Sequence, residues 1–113
     1  MAKTARERID ADETSSAIYE ALLERVQALD GVSVEEKSTS FHLVRGRAIG
    51  GVHPRRGGLL VTIVLDRQID SERLFRADRV SANRWHNEVL LTAPSDLDDE
   101  FEGWLTEAYA RAG

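Results

Sequence analysis

Between Phe41 and Asp66 the chain reads FHLVRGRAIGGVHPRRGGLLVTIVLD, three short apolar runs split by Arg45-Gly46 and by Pro54-Arg55-Arg56-Gly57-Gly58. Apolar runs divided by turn-forming residues at this spacing read as a three-stranded antiparallel meander. With Arg45-Gly46 as a two-residue turn, Val44 pairs with Arg47, Leu43 with Ala48 and His42 with Ile49. Side chains alternate across a strand, so this register sends Phe41, Leu43, Ala48 and Val52 to the core face. His42, Val44, Arg47, Ile49 and His53 fall on the other face. Gly50-Gly51 within the second run signals a bulge or a close backbone approach. Leu59 to Leu65 is apolar on both faces and is expected to be central and covered on both sides.

The flanks supply the other layer. Residues 1–11 read as a disordered tail, with one large aliphatic residue, Ile9, and nothing to bury, and residues 12–113 as a single domain. Asp12 or Thr14 caps a helix running to about Leu29, with Ile18, Leu22, Val26 and Leu29 at three- and four-residue steps and Tyr19 and Leu23 widening the stripe. Gly31 is a stop signal, and Val32 to Glu35 alternates as a short edge strand. Asp70-Ser71-Glu72 before Leu74-Phe75 suggests one helical turn, Val80 to Trp85 an irregular strand or loop, and Val89 to Thr92 a further long strand. Ser95 is expected to cap a final helix, with Asp98 completing a capping box and Leu97, Phe101, Trp104, Leu105 and Ala108 as its stripe. The expectation is an α+β fold in two layers, an antiparallel sheet of four to five strands with both long helices on one face. Leu22, Val26, Phe41, Leu43, Val61, Ile63, Val89, Phe101 and Leu105 should then form one core. The open face would carry Leu60, Val64 and Ile49 under one strand parity, an apolar surface that favours a two-fold homodimer.

A chain of 113 residues, 42% hydrophobic and 31% charged, has the composition of one soluble globular domain. No apolar run approaches the ~18 residues of a membrane span. The first residues lack the apolar stretch of a signal peptide, and the absence of cysteine excludes disulfides, thiolate nucleophiles and zinc-thiolate sites. A cytoplasmic location is expected. The net charge of −5 is unevenly spread, for residues 41–67 carry five arginines and one aspartate, whereas residues 1–40 carry nine acids and five bases. Residues 95–113 carry six acids and one base. Acidic helices and basic strands attract one another, but a local basic surface is also what an anionic ligand meets.

A hairpin with an arginine-glycine tip, a Pro-basic-Gly turn, an all-apolar strand and a closing helix ending Glu107-Ala108-Tyr109 together resemble the small bacterial and archaeal domain-of-unknown-function family 5655. Some of its members are labelled predicted transport proteins. The resemblance covers roughly Phe41 to Tyr109. The family's segment before the last strand is glycine-rich with an aromatic, whereas this chain has Asn83-Arg84-Trp85-His86-Asn87. The family has no agreed activity, so the resemblance implies no catalytic residue and no cofactor.

Few constellations carry chemistry. No serine lies in a G-x-S-x-G elbow. His42, His53 and His86 are potential metal ligands, but the tight-turn register places His53 four residues beyond the row of His42, over ~10 Å away at about 3.3 Å per residue. No metal site is expected. Asp98, Asp99, Glu100 and Glu102 read as acids fanned around a helix N-terminus, not as a catalytic pair. Arg55-Arg56-Gly57-Gly58 could form an anion nest, and Arg84-Trp85-His86 a stacking surface for a base or sugar. The leading functional reading is a non-catalytic interaction module, a homodimer through the open sheet face. A second is a weak binding module for an anionic partner, nucleic acid or nucleotide, through His42, Arg45, Arg47, Arg55 and Arg56. Seven strand positions, about 23 Å, separate Arg47 from the Pro54 turn, so these residues would form an elongated stripe and not a pocket. A third reading is an enzyme of unspecified type.

Overall fold

The structure is a computed structural model and describes residues 3–113. Three α-helices pack on one face of a six-stranded antiparallel sheet. In chain order the elements are α1 (Ala5–Asp10), α2 (Glu13–Gln27), β1 (Ser33–Glu36), β2 (Phe41–Arg45), β3 (Arg47–Arg55), β4 (Gly58–Leu65), β5 (Leu74–Ser81), β6 (Arg84–Leu91) and α3 (Asp99–Ala112), with a 3-10 turn at Pro94–Asp96 before α3. The strand order is β1-β2-β3-β4-β6-β5.

The α+β class and the single helical layer are as expected; the strand count is not. β5 and the first half of β6 replace the expected helical turn and loop. The sequence of β5, LFRADRVS, offers no apolar alternation because it lies at the sheet edge and is largely exposed. Its hairpin to β6 turns through Ala82-Asn83, which carries no glycine signal.

All nine residues assigned to the core belong to one buried cluster. Leu59, Val61, Ile63 and Leu65 of β4 face it from the sheet, and Ile18, Leu22, Val26, Phe101 and Leu105 from the helices. β4 is central, between β3 and β6, and every residue but Thr62 is buried.

Where an unstructured tail was expected, Thr4 opens α1 with a capping box. Its hydroxyl accepts from the Glu7 N–H at 3.2 Å, and the Glu7 carboxylate accepts from the Thr4 N–H at 3.0 Å. One turn apart, Ala5 and Ile9 bury against the core. A short helix that contributes two residues carries too little periodicity to stand out, although Thr4-Ala5-Arg6-Glu7 is a legible capping signature.

Helix α2 is capped by Asp12, whose carboxylate accepts from the Ser15 N–H at 2.9 Å. The cap of α3 is Asp98 and not Ser95. Asp98 accepts from the Phe101 N–H at 3.1 Å, while Asp96 accepts from the N–H groups of Thr92 and Ala93. Pro94 opens a separate 3-10 turn, so the helix starts later than its first capping candidate.

The register of β2 with β3 differs from the tight-turn expectation. Phe41 faces Val52, His42 faces Gly51 and Leu43 faces Gly50, yet Val44 faces Ala48. Ile49 is the extra residue of a bulge. It takes the core position expected for Ala48, which lines the open face instead. At Gly50 a Cβ would lie 2.0 Å from the carbonyl oxygen of Thr62, so only glycine fits the bulge at that point. The register is already one residue off at the turn, where Arg45 faces Arg47 across Gly46, and the bulge beside Gly50 adds the second residue of shift.

Candidate functional site

The bulge decides which side chains meet on the face without helices. With His42 opposite Gly51, His53 lies two residues along β3 on the same face, a diagonal neighbour at ~7–8 Å between Cα atoms and not over ten. The His53 ring leans back along the strand, for a Cβ on Gly51 would be 4.0 Å from its Nε2. From the other side β6 contributes Arg84 and His86, the latter opposite Val64 of β4. These four polar side chains, with Thr62 and the apolar Val44, Ala48 and Val64, line a groove of about 240 Å³ floored by Gly50 and Gly51.

The electrostatics of the groove are specific. Arg84 Nε donates to His86 Nε2 at 3.2 Å. An imidazole nitrogen that accepts a hydrogen bond carries no proton, so His86 is neutral with its proton on Nδ1. Burial, then the Arg84 charge, holds His86 below the ordinary histidine value. Burial, then the Arg55 charge, does the same to His53. Among the described residues Arg84 has no carboxylate within salt-bridge distance. Acids are nonetheless close: Glu88 lies opposite Thr62 on the same face, and Asp78 lies opposite His86. Asp78 pairs with Arg76 at 3.3 Å. No three His, Asp or Glu side chains among the described residues are arranged to hold a metal ion.

Most of the other residues singled out from the sequence lie elsewhere. Strand alternation splits Arg84-Trp85-His86: Trp85 pairs with Leu65 on the helix side and has the Arg79 guanidinium 5.9 Å from its ring centroid. Arg45 is tied to α3, with Nη1 donating to the Tyr109 carbonyl at 3.0 Å and the guanidinium 3.9 Å over the Tyr109 ring. Arg47, opposite Arg45, is exposed. Arg55 and Arg56 sit at the far end of β3, by the β3–β4 turn. Asp98, Asp99, Glu100 and Glu102 do surround the start of α3, and Asp98 and Glu100 both accept from Arg73, at 2.8 and 3.0 Å. Of the expected anion-binding set, His42 alone lines the groove. His53, Thr62, Arg84 and His86 join it because of the bulge and the β4–β6 pairing, and only the bulge has a sequence signal.

Leu60 and Val64 occupy the open face by strand parity, yet each is only 2% exposed. The exposed large apolar side chains lie on the edge strand β5 and its neighbour β6: Phe75 at 61%, Val80 at 54% and Leu90 at 38%. No helix among the described residues is long and apolar enough to cross a membrane.

No curated protein and no solved structure matches the chain. A family model does match, from residue 4 to residue 112, and so takes in α1 and the whole sheet that forms the groove. The chain belongs to the family described as Domain of unknown function (DUF5655).

Proposed function

We propose that this domain is a binding module whose open sheet face takes the carboxylate of a small amphipathic ligand, or of a side chain presented by a partner. The observation that carries this reading is Arg84: a half-buried guanidinium in a groove, unpaired with any described carboxylate, whose Nε is already given to a neutral histidine. That arrangement leaves the two terminal nitrogens as a planar two-donor fork, the shape that matches a carboxylate. One unpaired cation suits one negative charge. Val44 and Ala48, half-buried beside it, suit an apolar body. At about 240 Å³ the groove is below the ~300–1,000 Å³ of sites that enclose drug-sized molecules, so the ligand is small or is one group of something larger.

Calorimetric titration with a series of short-chain carboxylates tests this. Binding should strengthen with chain length at first and weaken by about tenfold or more in Arg84→Gln. Arg84→Lys, which keeps the charge but not the fork, should restore little of it. Equal affinity of wild type and Arg84→Gln would refute the reading.

A second reading is self-association, favoured by the exposed Phe75, Val80 and Leu90 on β5 and β6. Its surface is then the β5 side of the sheet, not the β2–β4 floor where Leu60 and Val64 are covered.

A further inference from the structure

The basic residues at the β3–β4 turn acquire neighbours that the sequence places far away. α1 and the residues before it bring Arg8 and Lys3 to the same cleft as Arg55 and Arg56, a concavity of about 360 Å³ that also includes Asp12. None of these four cations is within salt-bridge distance of a described carboxylate, in a chain with 20 acids to 15 bases. Asp12 is occupied twice, accepting from the Ser15 N–H at 2.9 Å and from the Gly57 N–H at 2.8 Å. Ser15, fully buried, has its hydroxyl 2.9 Å from the carbonyl oxygens of both Arg55 and Gly58. Asp12 and Ser15 thus pin the turn to the start of α2. Arg55 is steadied further by donating to the Pro54 carbonyl at 3.0 Å. The frame fixes the turn that carries Arg55 and Arg56 without neutralising them, and all four cationic side chains are exposed to solvent.

We infer that this cleft is a second anion site, distinct from the groove of Arg84, and that it takes a small, multiply charged phosphate ligand. Four cations less one carboxylate leave a local charge of about +3, which suits more than one phosphate charge and exceeds what a lone carboxylate would use. The ligand is small because the surrounding surface is acidic. The elements that frame the cleft carry Glu7, Asp10 and Glu13 beside its cations, so a long polyanion leaving the cleft meets repulsion. Arg45, committed to Tyr109, no longer extends a basic stripe along β3.

The site is read out by amide NMR during titration with inorganic pyrophosphate at ~50 mM salt, where phosphate contacts are strong. The amides of Arg8, Arg56 and Gly57 should shift saturably, with those of Arg84 and His86 unmoved. Arg8→Gln with Arg56→Gln should weaken binding about tenfold or more while the remaining spectrum keeps its dispersion. If the double variant unfolds, Arg56→Gln alone at the exposed turn gives the same test with a smaller loss. Shifts confined to Arg84 and His86, or no shift at all, would overturn the second site. So would a single-stranded oligonucleotide that binds at the same residues more tightly than pyrophosphate, because the cleft would then serve a polymer.

Discussion

Gly50 is where the groove is made or lost. Its absent Cβ leaves room for the Thr62 carbonyl, and the bulge beside it sets His42 and His53 on neighbouring positions. Gly50→Ala should cost at least ~1–3 kcal/mol, the range of overpacked sites, measured as a urea midpoint shift. Gly103, on α3 with open space at its Cβ position, gives the contrast: Gly103→Ala should stabilise by ~0.5–1 kcal/mol. Equal effects of the two substitutions would contradict the bulge as the reason for glycine. Titration offers a second check at this scale. His53 and His86 are both held below the usual 6.5, so below that pH the unfolded chain takes up more protons than the folded one. Stability should therefore hold above about pH 6.5 and decline as pH falls beneath it; a further decline should follow below about 3.8, where Asp12 and Asp98 are held low, first by the N–H groups of Ser15 and Phe101 respectively. Urea midpoints from pH 8 to 5 should flatten in His53→Gln/His86→Gln, and an unchanged slope would remove the two histidines from the account. The two glycines were legible in the sequence as a bulge; the one-residue slip at the Gly46 turn was not. One residue of slip exchanges Ile49 for Ala48 in the core, and both are apolar.

Elements that cover the core declare themselves by periodicity, and those at its margins do not. α2, β2, β4 and α3 were readable because Ile18, Leu22 and Val26, or Phe101, Trp104, Leu105 and Ala108, recur on one face. β5 was not, since an edge strand of exposed residues has no pattern to show. α1 buries Ala5 and Ile9, and the larger of the two, Ile9, is 1% exposed. Ile9→Ala should cost ~2–5 kcal/mol, as for other fully buried aliphatics, whereas a frayed end would register less than ~0.5 kcal/mol. Within the fold, the loop between β4 and β5 is anchored by a buried amide, while Arg67 and Arg73 tie it to acids outside. Asn87, fully buried, accepts from the Ile69 N–H at 2.8 Å and donates to the Arg67 carbonyl at 3.0 Å. Asn87→Leu should cost ~1–3 kcal/mol by leaving the Ile69 donor unsatisfied, and hydrogen exchange at Ile69 should accelerate with it. An unaltered exchange rate would mean the loop is held by something else.

At the scale of the whole molecule, the sheet divides the labour: one face is spent on the three helices, and the other gathers His42, His53, Arg84 and His86. If β5 and β6 pair two copies, sedimentation at high micromolar concentration should show a dimer that Phe75→Ser weakens; a monomer throughout would leave Phe75, Val80 and Leu90 without a partner copy. The groove has its floor on β3 and β4, although β6 supplies Arg84 and His86 to its wall. The measurement that bears most directly on it is the long-range ¹H–¹⁵N spectrum of the three imidazoles during titration with a short-chain carboxylate. In the free protein at neutral pH, His86 Nε2 should be unprotonated, as an acceptor from Arg84 must be. On addition of ligand the resonances of His42, His53 and His86 should move together and saturate, and in Arg84→Gln they should stay still. A protonated His86 Nε2 in the free protein, or three imidazoles that ignore the ligand, would contradict the account of this face as a carboxylate site.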